Sequence, residues 1–215
     1  RCWFRLGGAD GARGRIAVIA GTGSNNTREA VRLTKHAKEA GADAALLITP
    51  YYNRPTQRGL YLHFKAIAEA VDIPLIIYNI ASRTAVNIEP DTFAQLAGIK
   101  TIVGVKESSG NLEQMSRILQ ATGGRLALLS GDDALTLPVL AIGGTGVISV
   151  VANLVPQDVA AMVEAFRTGR HDEALRRHDR LLPLVKALFL ETNPIPVKTA
   201  MGMLGLITPE LRLPL

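Results

Sequence analysis

Short apolar runs alternate with amphipathic segments along most of the chain. Six runs are rich in aliphatic and β-branched residues and predict buried strands: IAVIAG from Ile16, ALLITP from Ala45, PLIIYN from Pro74, TIVGVKE from Thr101, LALLSG from Leu126 and GVISV from Gly146. They recur about every 20 to 30 residues, which leaves room for a helix between successive strands. Parallel strands need crossovers of this length, so the pattern predicts a repeated strand–helix unit.

Two of the intervening segments carry clear helix signals. Asn26 with Glu29, and Asn111 with Gln114, have the spacing of a capping box at a helix start. After Asn26, helical spacing places Ala30, Thr34, Ala37 and Gly41 on one helical face, and Gly41 is suited to a helix end. From Val155 onward the pattern is purely helical.

The strands are too uniformly apolar to have a solvated face, which leaves an open doubly wound sheet or a closed barrel. No GxGxxG fingerprint follows a strand, and GTGSNN at Gly21 is not a Walker phosphate loop. Polar or small residues stand at the carboxyl ends of several runs: Thr49, Tyr78, Lys106, Gly131 and Ser149. In a barrel these ends converge on one mouth, where barrel enzymes carry their chemistry, so the pattern favours the barrel.

The number of strands is too small for a complete barrel. Eight strand–helix units take about 250 residues, whereas this chain has 215 residues and six predicted strands. Either two leading units are missing, which leaves apolar strand edges exposed, or the sheet is not closed. We expect an α/β fold: a (β/α)8 TIM barrel with about six of its units present. Its predicted parts are an atypical leader over 1–15, the partial barrel over 16–165 and a helical segment over 166–215.

Composition changes this picture little. The net charge of +5 comes mostly from four arginines against one aspartate in the first fifteen residues, and the remainder has no basic stripe. A single cysteine rules out an internal disulfide. No apolar run approaches the roughly 18 residues of a membrane span, and the first residues lack the apolar centre of a signal peptide. We expect a cytoplasmic protein that binds neither nucleic acid nor membrane.

Lys106 is the most informative polar residue, because it ends an apolar strand. A lysine there is poorly solvated, which disfavours the ammonium and leaves the neutral amine that attacks a ketone. The alternative is structural: a lysine that reaches past the strand end to water, or one that pairs with Glu107.

Tyr78 ends the preceding run at the equivalent place, and neighbouring strands lie about 4.8 Å apart. A phenol beside the amine can move the protons that imine formation requires, although a lone tyrosine is more often a core residue. Five residues later, Arg83 offers a guanidinium that can hold a carboxylate, or else a solvated loop arginine.

The other candidate groups carry less chemistry. Gly131 leaves room for a small keto acid, and a plain turn glycine is equally consistent with LLSGDD. Asp132 and Asp133 follow it, and helix N-capping explains at least one of them, so we assign them no acid–base role. The four histidines have no ligand spacing, and we expect no metal site.

These motifs together resemble one family. GTGSNNTREA, ITPYYNRP, GLYLHFKAIAEAVDIPLIIYN, SRT, GVKESSGN, LLSGDD, GGTGVISV and NPIPVK are similar to the dihydrodipicolinate synthase group of Schiff-base pyruvate lyases and aldolases. The likeness runs from about Arg15 to Leu215. It implies that Lys106 forms an imine with pyruvate, that Tyr78 belongs to a proton relay and that Arg83 binds the carboxylate of an aldehyde substrate.

The resemblance implies further roles by position. Gly131 and Ile148 match the wall of the pyruvate pocket, and Tyr52 matches a tyrosine that completes the relay of a neighbouring subunit. A feedback site for lysine is the weakest transfer, and its matching positions are Asn25, Glu29 and Tyr51. We therefore expect a homodimer or homotetramer that uses no cofactor beyond the covalent imine.

The function that the resemblance implies is condensation of pyruvate with aspartate-4-semialdehyde, a step of lysine and diaminopimelate biosynthesis. Two alternatives stay open. One is a sister lyase that acts on N-acetylneuraminate or a 2-keto-3-deoxy sugar acid. Such a lyase would need hydroxyl-binding groups at the position of Arg83. The other is an inactive truncated remnant, because the family's two leading units, with a Gly-Thr-Thr motif, have no counterpart here. Residues 1–14 do not resemble the helix expected at that point.

Overall fold

A computed structural model describes residues 9–12 and 14–215, with the backbone alone at residues 9 and 10. The predicted leader therefore lies largely outside the described residues. The chain divides into two compact units, the first ending at Leu129 and the second running from Ser130 to Leu215.

The first unit alternates strands with helices, as the sequence predicts. Its strands are β1 (Ile19–Gly21), β2 (Ala44–Ile48), β3 (Leu75–Asn79), β4 (Ile102–Glu107) and β5 (Ala127–Ser130), whose last residue opens the second unit. Its helices are α1 (Ala9–Ala12), α2 (Thr27–Glu39), α3 (Gln57–Ala70), α4 (Ala81–Thr84), α5 (Pro90–Leu96) and α6 (Leu112–Thr122). The strands follow chain order in the sheet, and β1–β2, β2–β3 and β3–β4 pair in parallel.

The middle strands are fully buried on the face that packs against the helices, whereas Leu46, Ile48 and Tyr78 on the other face are only half-buried. Leu47, Leu75, Ile77 and Val105 are fully buried between the sheet and its helices. The edge strand β1 differs from the prediction, because it begins only at Ile19 and leaves that side chain 42% exposed. Ile16, the first residue of the predicted run, is 72% exposed.

Both predicted helix starts are confirmed at their caps. Asn26 Oδ1 accepts from Glu29 N at 3.2 Å, and Asn111 Oδ1 accepts from Gln114 N at 3.0 Å. The reciprocal half of the capping box does not form, since Glu29 Oε2 accepts instead from Ser24 Oγ at 2.7 Å. The predicted face of α2 is buried at Ala30, Thr34 and Ala37, whereas Gly41 lies just past the helix end, where it is exposed and has a φ of 84°.

The second unit is mostly helical. A 3-10 turn over Asp133–Leu135 leads into α7 (Thr136–Ala141), and after β6 (Gly146–Val147) a second 3-10 turn (Val151–Asn153) leads into α8 (Pro156–Arg167), α9 (His171–Ala187) and α10 (Ile195–Met203). Their apolar core contains Val151, Val159, Met162, Leu181, Val185, Leu188 and Val197. No described helix is both long and apolar enough to cross a membrane.

Strand β6 is shorter than its predicted run, because it ends at Val147 and the chain bends at Val150. The Ser149 hydroxyl donates to the buried Asp133 carboxylate, which also accepts from Val150 N at 2.9 Å. The predicted capping role belongs to Asp132, whose Oδ1 accepts from Ala134 N at 2.9 Å. Both aspartates are thus engaged in holding backbone.

Candidate active site at the carboxyl ends of β3 and β4

The structure places Lys106 and Tyr78 side by side. They are register partners in the parallel pairing of β3 with β4. The Lys106 Nζ atom lies 3.9 Å from the centroid of the Tyr78 ring, and both side chains are half-buried. An amine and a phenol therefore share one face of the sheet, at the strand ends where the sequence predicts them.

The environment of Tyr78 keeps its phenol protonated. Burial raises the pKa of Tyr78, while the Ser108 hydroxyl and the Arg83 guanidinium act in the lowering direction. The Ser108 Oγ atom is buried, and among the described residues no hydrogen bond to it satisfies ordinary distance and angle limits. A neutral phenol in this position can both donate and accept a proton.

Arg83 lies on α4, directly after β3, and its side chain is exposed. Within the short helix, Thr84 Oγ1 donates to Ile80 O at 3.0 Å, and at the end of β3 Thr49 Oγ1 donates to Tyr78 O at 3.2 Å. A guanidinium anchored next to the strand end can bind a carboxylate with two parallel hydrogen bonds.

A buried polar pair, Asn79 and Glu107, was missed by sequence reasoning. Each follows one of the reactive residues and is fully buried at 0% exposure. Burial raises the pKa of the Glu107 carboxyl, and hydrogen bonds from its neighbours, first among them Asn79, act against this rise. The available signal was a polar residue directly after Tyr78 and another after Lys106, in strands that are otherwise apolar.

The positions matched to the lysine effector form a second, more exposed group. Asn25 Nδ2 donates to Tyr51 O at 3.2 Å, and Asn53 Nδ2 donates to Asn25 O at 3.0 Å. Glu29 lies at the start of α2 and makes an exposed ion pair with Arg32. Tyr52 is 88% exposed, with φ at 72° in the left-handed region.

The two residues matched to the pyruvate pocket wall, Gly131 and Ile148, belong to the second unit. Ile148 N donates to Ser130 O at 2.9 Å, so Gly131 and Ile148 follow two neighbouring strand ends, those of β5 and β6. Both are half-buried.

Among the described residues, no cluster of three His, Cys, Asp or Glu side chains could hold a metal ion. Glu107 and Asp133 are the buried carboxylates, and hydrogen bonds from within the protein occupy both. The reactive groups of the site are thus an amine, a phenol and a guanidinium.

Strands in chain order, helices between them and reactive groups at the strands' carboxyl ends define a (β/α)-barrel protein. The model of the dihydrodipicolinate synthetase family matches residues 8–215, and the chain belongs to that family.

Relatives at high identity support both the barrel fold and the family membership. A 4-hydroxy-tetrahydrodipicolinate synthase from Syntrophus aciditrophicus is 57% identical over 206 residues, which are 96% of this chain and 71% of that protein. The crystal structure of dihydrodipicolinate synthase from Aquifex aeolicus has a TM-score of 0.95 at 55% identity, covering 96% of this chain and 71% of that one. The chloride-inhibited enzyme from Acinetobacter baumannii, complexed with pyruvate, has a TM-score of 0.94 at 46% identity with the same coverage. The family resemblance and the predicted fold, a (β/α)8 barrel with about six units present, are confirmed.

Proposed function

We propose that this protein condenses pyruvate with aspartate-4-semialdehyde through a Schiff base on Lys106 and forms 4-hydroxy-tetrahydrodipicolinate. The observation that carries the proposal is the contact between the Lys106 amine and the Tyr78 ring, 3.9 Å from Nζ to the centroid. Membership of the dihydrodipicolinate synthetase family supports it, as does the pyruvate complex of the Acinetobacter baumannii relative.

The amine starts the reaction as a nucleophile. Lys106 Nζ attacks the ketone carbon of pyruvate, a C–N bond forms, and the resulting carbinolamine loses water to give an imine. Loss of a proton from the methyl carbon converts the imine into an enamine. Tyr78 carries these protons, because burial raises the pKa of its phenol and keeps it able to donate.

The second substrate enters after the enamine has formed. The enamine carbon adds to the aldehyde carbon of the semialdehyde, and Arg83 holds the carboxylate of that substrate. The substrate's own amine then attacks the imine carbon, closes the ring and displaces the Lys106 amine. The protonated imine serves as the electron sink, so the reaction needs no cofactor.

Several further roles stay predictions. We predict that Tyr52 completes the proton relay of a neighbouring subunit in a homodimer or homotetramer. We also predict that Gly131 and Ile148 line the pyruvate pocket. Lysine, as a feedback inhibitor, is predicted to bind the more exposed group of residues, namely Asn25, Glu29 and Tyr51. The cytoplasmic location is likewise a prediction from the sequence.

Reductive trapping tests the proposal directly. Incubation with pyruvate and borohydride should add one reduced pyruvate unit to the peptide that carries Lys106, measured by mass spectrometry. Lys106→Met should abolish the adduct, while Lys100→Met, which removes an exposed lysine just before β4, should retain it. A wild-type protein that takes up no pyruvate, or a Lys106→Met variant that still does, contradicts the proposal.

Substrate choice is tested in the same preparation. We expect turnover with aspartate-4-semialdehyde and none with N-acetylneuraminate or a 2-keto-3-deoxy sugar acid, because Arg83 is suited to a carboxylate. Faster turnover of a sugar acid would support the sister-lyase alternative instead.

A further inference from the structure

The strands that carry Lys106 and Tyr78 also carry a buried polar pair on their opposite face. Asn79 and Glu107 follow the two reactive residues in sequence and are register partners themselves. Side chains alternate along a strand, so this pair lies on the face turned away from the amine and the phenol. The proposed chemistry does not use either side chain.

Hydrogen bonds engage both oxygens of Glu107 and all of the polar atoms of the Asn79 side chain. Glu107 Oε2 accepts from Asn79 Nδ2 at 2.9 Å, and Glu107 Oε1 accepts from Ser109 N at 2.7 Å. Asn79 Nδ2 also donates to Asn87 Oδ1 at 2.8 Å, and Asn79 Oδ1 accepts from Ile88 N at 3.1 Å. The pair ties β3 to β4 and both strands to the loop before α5.

The same network extends to α6. Asn87 Nδ2 donates to Gln114 Oε1 at 2.8 Å, and Gln114 Nε2 donates back to Asn87 Oδ1 at 3.1 Å. A carboxyl group with 0% exposure destabilises a fold unless its oxygens accept hydrogen bonds. If packing were the only requirement, apolar side chains at these two positions would meet it equally well. The polar network behind Lys106 and Tyr78 therefore indicates that this part of the sheet must hold one specific geometry, since burial alone does not require polar side chains.

We infer that Asn79 and Glu107 are positioning residues, whose hydrogen bond fixes the carboxyl ends of β3 and β4 in the register that sets the Lys106 amine beside Tyr78. This role rests on the proposed function of that amine. A slip of one residue between the strands would turn one reactive side chain to the opposite face. Smaller displacements matter too, since a shift of about 1 Å at a reacting group can slow chemistry roughly 100-fold.

The donor and acceptor pattern of the pair allows a sharp test. Glu107→Gln places an amide N–H group against either Asn79 Nδ2 or Ser109 N, so one donor faces another. Combining it with Asn79→Asp exchanges donor and acceptor: the new amide donates to the new carboxylate, which still accepts from Ile88 N. The new carboxylate also replaces the amide that donates to Asn87 Oδ1, so the side-chain amides of Asn87 and Gln114 must turn over together to present Asn87 Nδ2 to it. The double variant thus restores the strand-to-strand hydrogen bond with the same total charge.

The rate of imine formation at Lys106 is the measurement, followed by borohydride trapping over a series of pyruvate concentrations and pH values. We expect Glu107→Gln to lower the rate at saturating pyruvate by roughly tenfold or more, with little change in the pyruvate concentration for half-saturation. The double variant should recover most of the rate. Slow trapping in a Glu107→Gln variant that is fully folded at the assay temperature, with recovery in the double variant, is a result that a role in stability alone does not predict.

Thr34→Val is the matched control, because it removes a buried hydrogen bond, 2.9 Å long, between Thr34 and Thr22, neither of which belongs to the site. It should lower the thermal midpoint without slowing trapping. Equal rates in Glu107→Gln and wild type, a double variant as slow as the single one, or an equal slowing by Thr34→Val would each overturn the positioning role. A wild-type protein that traps no pyruvate would instead overturn the proposed function, and the positioning role with it.

Discussion

Lowering the pH should destabilise the first unit through His63. This residue lies on α3 and is only 5% exposed. Its Nδ1 atom is 2.9 Å from Thr27 Oγ1, and its Nε2 atom is buried without a hydrogen-bond partner among the described residues. Burial lowers the pKa of His63 from 6.5 to about 4. The imidazole is therefore neutral in the folded protein at every pH above that value.

Whether stability rises or falls with pH depends on which state, folded or unfolded, binds the proton more tightly. Between pH 6.5 and pH 4 the unfolded chain protonates His63 and the folded chain does not, so stability falls as the pH falls. The size of the effect follows from the pKa difference: about 2 kcal/mol is lost between pH 7 and pH 5, and about 3 kcal/mol once the folded pKa is passed. The side chain is almost fully buried, so solvent screening does not reduce this value appreciably.

Urea unfolding followed by far-ultraviolet circular dichroism at pH 7, 6 and 5 measures this loss. His63→Gln removes the titrating group and should flatten the pH dependence by the amount above. His171→Gln replaces an exposed histidine and should keep the wild-type loss. Glu107 acts in the opposite direction, because a raised carboxyl pKa favours the folded state as the pH falls. The difference between variants isolates His63, and parallel curves for wild type and His63→Gln would refute the reasoning.

Two further predictions concern the sheet and the substrate. Gly104→Ala puts a methyl group 3.0 Å from Ala127 O, between β4 and β5, and should lower the free energy of unfolding by about 1–3 kcal/mol in urea titrations; an unchanged midpoint would contradict this. Arg83→Ala should raise the KM for aspartate-4-semialdehyde by roughly tenfold or more, yet leave pyruvate trapping at Lys106 unaffected. A parallel loss of trapping would show that Arg83 acts on pyruvate instead.

The central strands and their order could be predicted from the sequence, because continuous apolar runs separated by helix-length segments are typical of parallel strands. Strands β2, β3 and β4 follow their runs closely. The ends of the sheet could not be predicted as well. At β6, tertiary hydrogen bonds from Ser149 and Val150 to Asp133 end the strand early, and nothing in the local pattern records a partner sixteen residues away.

The residues of the candidate site were predictable where reactive side chains lie at the ends of strands. Lys106 and Tyr78 end consecutive runs, so parallel pairing alone brings them together. The pair behind them was not predictable, since Asn79 and Glu107 gain their meaning from Asn87 and Gln114. Those two residues come from a loop and a helix with no shared periodicity. A single sequence shows which side chains are polar, but not which of them meet.

The outer edge of β1 can accept a further strand. The row of backbone amides and carbonyls along Ile19–Gly21 has no neighbouring strand on that side among the described residues, and Ile16 adds an apolar side chain close by. An edge of this kind can pair by backbone hydrogen bonds with one more extended segment. A strand that precedes β1 in sequence, or an extended segment of another molecule, could fill that position.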